Sequence, residues 1–517
     1  MYIEPNTNIR ILKNVPLDNT YDHTLYFSDE SSQIAYFQGL QKYNLVNYTY
    51  QRVNRGVARV GIKSDLLYDC NYIMFQNTNF GSKWFYAFIT SVEYLNNETS
   101  EIRFEIDDMQ TWFFDYHLDY CFVEREHSVT DAIGGNIIPE NLSVGEYVVN
   151  GDYAPIYDLS EVCFIVAIVD VEGEVSAVDG NIYDGIYGGA TLYVYEKSKF
   201  NAINEKLAEY VQKPDSVVSI YTMPIHFLPG GQIPTNNKLP NNDKSISEVA
   251  VLTAITTNDS LDGYIPKNKK LYTYPFNFCH VDNGLNNAMS LRYEFFDGLQ
   301  PSFQADCNVT QPISVSIRPV GYKNCGTTLN TEMLLLSNYP ICSWNVDTYK
   351  AWVAQNSVSM GLGLAGAVGG MVVGGLMGGA AGVLTGAISG VGKAVDLLAQ
   401  DYQASIKADT FKGGSSSSLN VAAKKQQFYS CRMSVTGDYA KSIDDFFTRY
   451  GYATKKLKIP NRSSRPHWNY VKTVNCTITG SIPTDAARSI CSIYDNGITF
   501  WKHGSEVGNY SLDNSPV

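Results

Sequence analysis

Seven glycines, Gly366, Gly370, Gly374, Gly378, Gly382, Gly386 and Gly390, recur at every fourth position within Val358 to Gly392, a 35-residue stretch that carries no charged side chain. Between them stand Val358, Met360, Leu362, Leu364, Val368, Met371, Val372, Val373, Leu376, Met377, Val383, Leu384, Ile388 and Val391. The chemistry this pattern suits is partition into lipid rather than bond making. Glycine costs roughly 1 kcal/mol against alanine at each interior helix position, so seven of them make sense where backbones must approach closely. Small residues at every fourth position form the ridge on which helices pack in a membrane.

Residues with catalytic or ligand-binding potential do not assemble into a second candidate. Gly361, Gly363 and Gly366 match GxGxxG literally, but no convincing strand precedes them and no acidic residue follows about twenty positions on. Gly392-Lys393 resembles a phosphate loop, yet Ala394 stands where Ser or Thr would hold a metal. Seven histidines show no metal-type spacing, and ten scattered cysteines contain no CxxC pair, so reduced, buried thiols are expected. Asp107-Asp108 would suit a glycosidase but reads equally as a solvated turn. Lys455, Lys456 and Lys458 with Arg462, Arg465 and His467 form the only basic cluster, and a solvated loop is the expectation there, with phosphate or a neighbouring subunit as the alternative. No catalytic residue, metal or cofactor is therefore assigned.

The chain is long enough for several domains at about 150 residues each. Its net charge of −13 gives no global basic footprint for gripping DNA or an anionic membrane. An acidic wall can still surround DNA without holding it. Abundant Tyr, Val, Ile, Thr, Asn and Gly favour strands joined by turns. Met1 to Asn14 carries Glu4 and no apolar core, so it does not read as a signal peptide, and no stretch other than Val358 to Gly392 approaches the ~20 apolar residues of a span.

Residues 1–130 read as β: Trp84 to Leu95 is a strand, Asn96-Asn97-Glu98 turns it, and Ile102 to Ile106 returns in alternation. Cys163 to Val171, Thr191 to Tyr195 and Val217 to Tyr221 read as strands, and Ser198 to Gln212 as a helix. Residues 228–246 read as loop, and strand-like runs return over 250–345, as at Ile313 to Pro319. Downstream of the apolar stretch, Ile388, Val391, Val395, Leu398, Tyr402 and Ile406 mark one face of an amphipathic helix, and Gly413 to Ser418 is a tether. The last ninety residues read as β with one helix near Ala440 to Tyr450.

As one helix the apolar stretch would extend about 52 Å, well beyond a hydrocarbon core of about 30 Å. A hairpin or glycine-broken loop fits better. A constitutive transmembrane helix lacks flanking basic clusters and aromatic girdles (Trp352 alone is placed for one). A glycine-rich core helix is the second reading. A conditionally exposed, fusion-peptide-like loop, shielded by neighbouring subunits until released, is the favoured third.

Several strings resemble the tail knob proteins of small short-tailed bacteriophages, the phi-29-like group. They are Asp65 to Tyr68, Asn71 to Asn77, Lys83 to Phe88, Phe104 to Asp107, Gln110 to Trp112 and Arg125 to His127, then Tyr450 to Tyr452, Asn469 to Val471, Asp495 to Thr499 and Gly508 to Tyr510. They cover roughly residues 5–130 and 425–517, while 150–345 carries few of them. The resemblance implies a virion protein, hexameric, at the distal tip of the tail. It implies a mainly β fold with an α+β insertion: a tail-tube-like β domain from 1–150 and 424–517, an inserted distal region 151–345, and a hydrophobic Gly-rich loop region 346–423. The implied partners are other copies, other tail proteins, phage DNA passing through the lumen without specific binding, and the host cytoplasmic membrane, where the hydrophobic loops would leave the channel and form a pore. The alternative is a tail-tip enzyme degrading cell wall, or a receptor-binding protein, with a purely structural apolar tract.

Overall fold

A computed structural model describes residues 6–48, 56–78, 81–157, 161–168, 182–183, 186–187, 190–196, 198–210, 216–239, 246–283, 288–307, 315–323, 335–337, 343–345 and 428–516. The fold is mostly β. The chain forms two compact units, one from Met1–Tyr147, Thr257–Phe276 and Val435–Val517, the other from Val148–Thr256 and Asn277–Ser434. Thr257–Phe276, placed by the sequence in the insertion, thus joins the first unit.

The first unit begins with β1 (Thr7–Lys13), β2 (His23–Leu25), α1 (Glu30–Gly39), β3 (Gln41–Tyr48), β4 (Val57–Val60), β5 (Cys70–Asn77), β6 (Trp84–Asn96), β7 (Thr99–Ile106), α2 (Asp108–Thr111), β8 (Tyr116–Leu118) and β9 (Cys121–Glu126). The strands form an antiparallel sheet of order β3-β1-β5-β6-β7-β4. Ile73, Phe75 and Ala87 enter an apolar cluster with Ile9, Ile11, Val60 and Ile102 on one face. Tyr72, Met74, Trp84, Tyr86 and Phe88 enter a second cluster on the other. A two-residue side-chain period sends successive residues to opposite faces, which is why these strands read as near-continuous apolar runs.

The second unit holds β10 (Tyr147–Pro155), β11 (Val162–Ile168), β12 (Ile182–Tyr183), β13 (Ile186–Tyr187), β14 (Thr191–Glu196), α3 (Phe200–Ala208), β15 (Val217–Pro224), β16 (Ile246–Val251), β17 (Asn277–Asp282), β18 (Ala288–Leu291), β19 (Ser302–Cys307), β20 (Val315–Val320), β21 (Leu335–Ser337), β22 (Ser343–Asn345) and β23 (Tyr429–Val435). Three four-stranded sheets, β14-β11-β15-β22, β16-β19-β20-β21 and β10-β23-β17-β18, account for most of it. Ile203 and Leu207 of α3 pack on Phe164, Val166 and Ile168 of the fully buried β11. That is the α+β character expected of the insertion.

The chain closes the first unit with α4 (Gly437–Tyr450), β24 (Tyr452–Lys458), β25 (Trp468–Val474), β26 (Ile478–Gly480), α5 (Thr484–Asn496) and β27 (Ile498–Trp501). Its second sheet, β2-β27-β25-β9-β24, mixes strands from both ends of the chain. Trp468 and Trp501 of this sheet bury into the same cluster as Tyr72 and Trp84 of the first.

Three helices, α1, the short α2 and α5, depart from the sequence reading. In the stretch read as β, α1 forms because Asp29 caps it, accepting from the Ser32 amide at 2.8 Å, and because Phe37 buries completely. Near the C-terminus, α5 is a second helix beyond the one expected. Ala486, Ile490, Ile493 and Tyr494 bury at helical spacing, and Gly497 ends it at φ 97°.

Candidate functional site

All the residues singled out from sequence as membrane-inserting, Val358 through Val391, and the glycine ladder Gly366 to Gly390 lie outside the described residues, as do Trp352, the amphipathic exit helix and the Gly413–Ser418 tether. Among the described residues no helix is long and apolar enough to cross a membrane, and no cluster of His, Cys, Asp or Glu is arranged to hold a metal. Six cysteines, Cys70, Cys121, Cys163, Cys279, Cys431 and Cys476, are free and buried, and Cys491 is free and half-buried.

Among the described residues, the first unit carries a buried polar network. The Glu140 carboxylate, 2% exposed, accepts from Lys270 Nζ at 2.6 Å and from the Arg125 guanidinium, and its Oε1 also accepts from the Ala453 amide at 2.8 Å. Glu126, at the end of β9, takes the Lys458 ammonium and the Asn461 amide, the latter at 3.0 Å. Asp444 on α4 accepts from Tyr264 Oη, the Lys267 amide and the Asn268 amide at 2.8, 2.8 and 2.9 Å. Asp131 accepts from Tyr452 Oη at 2.8 Å. Each carboxylate therefore ties together segments far apart in sequence; Glu140 and Glu126 meet cations, and Asp444 and Asp131 are held by neutral donors, since a buried polar group needs its hydrogen bonds.

Backbone geometry makes room for the network. Arg125 donates to the Gly451 carbonyl at 2.7 Å, and Gly451 sits at φ 64°, ψ −152°, a region that is essentially glycine-only. A Cβ there would lie 2.2 Å from the Glu126 carbonyl oxygen.

The electrostatics follow from burial. Desolvation lowers the Lys270 pKa, and the Glu140 charge opposes that shift. Burial, reinforced by the Arg465 and Arg125 charges, holds His127 down to about 3. Its Nδ1 accepts from the Tyr470 amide at 2.8 Å, and its Nε2 lies 3.1 Å from the Thr448 carbonyl oxygen. The neutral ring thus uses both nitrogens and has no lone pair free for a substrate proton, although His127, Asp131 and Lys267 line one cleft.

Two sequence expectations are corrected here. The basic cluster is not a solvated loop. Lys455 and Lys456 are exposed on β24, but Lys458 pairs with buried Glu126, Arg465 is buried, and the Arg462 guanidinium stacks 5.3 Å over Phe113. Asp107 is not a solvated turn either. It is buried, caps α2 by accepting from the Gln110 amide at 3.0 Å, and accepts from Tyr72 Oη at 2.7 Å. Burial outweighs those bonds and raises its pKa to about 7. Glu140, Lys270 and Asp444 escaped the sequence reading, because nothing local separates a paired buried charge from a solvated one.

The arrangement is one of adhesion, a scaffold sewn from the two ends of the chain and the middle segment Thr257–Phe276. A family model described as the C-terminal domain of the tail knob protein gp9 of Bacillus phage phi29 matches residues 238–515. The chain belongs to the tail knob protein family of phi29-like bacteriophages. A second model, the N-terminus of caudoviral major tail proteins, matches residues 5–117, which contain the whole six-stranded sheet of this tail knob chain. The tail knob protein gp9 of Bacillus phage PZA is 28% identical, and that of phi29 27% identical, each with 98% of both chains covered. The solved tail knob protein gp12 of bacteriophage C1 superposes with a TM-score of 0.61 at 15% identity, over 98% of this chain and 99% of that one, a likeness of fold. The protein is thus a structural component of a phage tail and of the virion.

Proposed function

We propose that this tail knob chain forms a ring, hexameric by resemblance, that conducts phage DNA, and that the tract Val358 to Gly392 plugs the channel and then enters the host cytoplasmic membrane as a pore, with no enzymatic role. The observation carrying this reading is that tract, charge-free over 35 residues with glycine at every fourth position, within a chain of the tail knob family. Exposed on one copy it would exceed the few hundred Å² of contiguous apolar surface that soluble proteins tolerate, so it must be covered by other chains or by itself, and a ring of copies pointing it at a shared axis would do so. On release, insertion gains about 25 cal/mol per Å² of apolar area, and backbone groups in lipid need internal partners, which favours helices packed on their glycine faces. The net charge of −13 suits a lumen through which DNA slides without sticking.

Purified protein is expected to release dye from liposomes, and deletion of residues 358–392 is expected to abolish leakage while leaving assembly intact. Leakage that survives the deletion removes the tract from the mechanism. Clearing of peptidoglycan without leakage supports a wall-degrading enzyme instead.

A further inference from the structure

Three thiols of the first unit meet at one place. Cys476, in the short link between β25 and β26, hydrogen-bonds through its side chain with Cys121 at the start of β9 and with Cys491 on α5. The backbone fixes the second approach independently. Asp495 Oδ1 accepts from the Cys476 amide at 3.0 Å, and Asp495 follows Cys491 by four residues on α5, so the two lie on one face of that helix. The same oxygen accepts from Thr473 Oγ1 at 2.7 Å, and the Cys491 thiol accepts from the Ile478 amide. Residues on both sides of Cys476 are therefore tied to the helix face that carries Cys491. Both cysteines belong to the apolar cluster of Met109, Val471 and Ile490.

Thiols beside a carboxylate suit a metal, but among the described residues no such group is arranged to hold one. Oxidation is the chemistry that remains. Cys121 and Cys476 are buried, whereas Cys491 is half-buried and is the thiol that an oxidant in solution meets first. The chain is a virion component, and a virion leaves the reducing cytosol in which it is made for oxidising surroundings. Another neighbouring pair, Cys279 and Cys431, lacks this geometry. Cys279 stands opposite Arg432 and Cys431 opposite His280, so the two thiols point to opposite faces of their sheet, and both are buried.

We propose that Cys476 and Cys491 form a disulfide in the released virion, fastening α5 to the link that follows β25. The Cys491 thiolate attacks one sulfur of a small-molecule disulfide such as oxidised glutathione. A mixed disulfide forms, and one small thiolate leaves and takes the proton that Cys491 gave up. The Cys476 thiolate then attacks Cys491 Sγ, the mixed disulfide breaks, and the second small thiolate leaves with the Cys476 proton. Two protein thiols are oxidised and one small disulfide is reduced to two thiols. Burial raises the pKa of both cysteines, so thiolate is scarce and the bridge closes slowly, in the finished particle rather than during folding.

The test uses the full chain, purified reduced and held in native buffer with oxidised glutathione. After the remaining thiols are alkylated, trypsin cuts at Arg488, between the two cysteines. The non-reducing map is expected to show the Cys476 and Cys491 peptides joined, lighter than their sum by the two thiol hydrogens, and separated again by dithiothreitol. Cys491→Ser is expected to slow loss of the Cys476 thiol by about tenfold or more, whereas Cys121→Ala leaves the link in place. Circular dichroism checks that each variant is folded, and the wild-type map decides where one is not. A peptide joining Cys121 to Cys476 instead overturns this pairing. Glutathione retained on Cys491, or unmodified thiols throughout the folded chain, overturns the bridge.

Discussion

The two sheets of the first unit solve the same packing problem with opposite means. The six-stranded sheet takes all its strands from the segment between Thr7 and Ile106, with short connections joining β5, β6 and β7, and both faces bury apolar clusters. The five-stranded sheet joins β2 and β9 to β24, β25 and β27, and the Lys458–Glu126 contact spans 332 residues of sequence. Closing a loop of that length costs about 4 kcal/mol more than closing a hairpin, an upper figure because Thr257–Phe276 returns to the first unit part-way along it. Apolar alternation alone tolerates a two-residue slip between such distant strands. A buried carboxylate with fixed cationic and amide partners does not, which is the work Glu126 and Glu140 do here.

Removing one partner of that network is therefore the largest expected effect. Glu140→Ala leaves Lys270 and Arg125 buried without a counter-charge and should cost about 3–5 kcal/mol. Urea titration followed by tryptophan fluorescence reads it, since Trp468 and Trp501 sit in the shared core. A loss below about 1 kcal/mol would mean the network is incidental and the contrast between the sheets is false.

That contrast also explains what could be read from sequence. The β6–β7 hairpin, β14 and α4 were legible because alternation or helical spacing is a local signal. The mainly β fold and the tail knob family were legible from strings such as Lys83 to Phe88. Helix α5 carried its signal in Ala486, Ile490, Ile493 and Tyr494 but lay in a stretch read as β with a single helix near Ala440 to Tyr450. The buried charges were not legible: Glu140 meets a lysine 130 positions away, and only the folded chain reveals the pairing. The apolar tract, the plainest candidate in the sequence, falls outside the described residues.

Acid should act next most strongly, through the five-stranded sheet. His127 is neutral in the folded chain at about 3, against 6.5 when unfolded, so the unfolded state takes up the proton first. Its contribution is complete above pH 6.5 and is lost progressively as pH falls toward 3, about 1.4 kcal/mol by pH 5.5. Asp107, raised to about 7 from 3.8, has the opposite sign: its contribution is complete below pH 3.8 and is lost as pH rises through 7. Stability measured from pH 7 to 5 in wild type and His127→Gln separates the two. The variant should lose the destabilising acid slope; an unchanged slope would assign the acid response to other groups.

The smallest effect belongs to the six-stranded sheet. Ile11 is fully buried, paired with Tyr43 on β3 and Ile73 on β5. Ile11→Val removes one methylene from a cluster built by neighbouring strands, with no charge exposed and no register choice changed, and should cost about 1 kcal/mol. The slope of unfolding free energy against urea should stay at its wild-type value, because the surface exposed on unfolding barely changes. If Ile11→Val costs as much as Glu140→Ala, apolar packing rather than charge pairing limits both sheets. If it costs a third or less, local sheets tolerate erosion that long-range ones do not, and substitutions in β9 and β24 become the sensitive route to disassembling the scaffold.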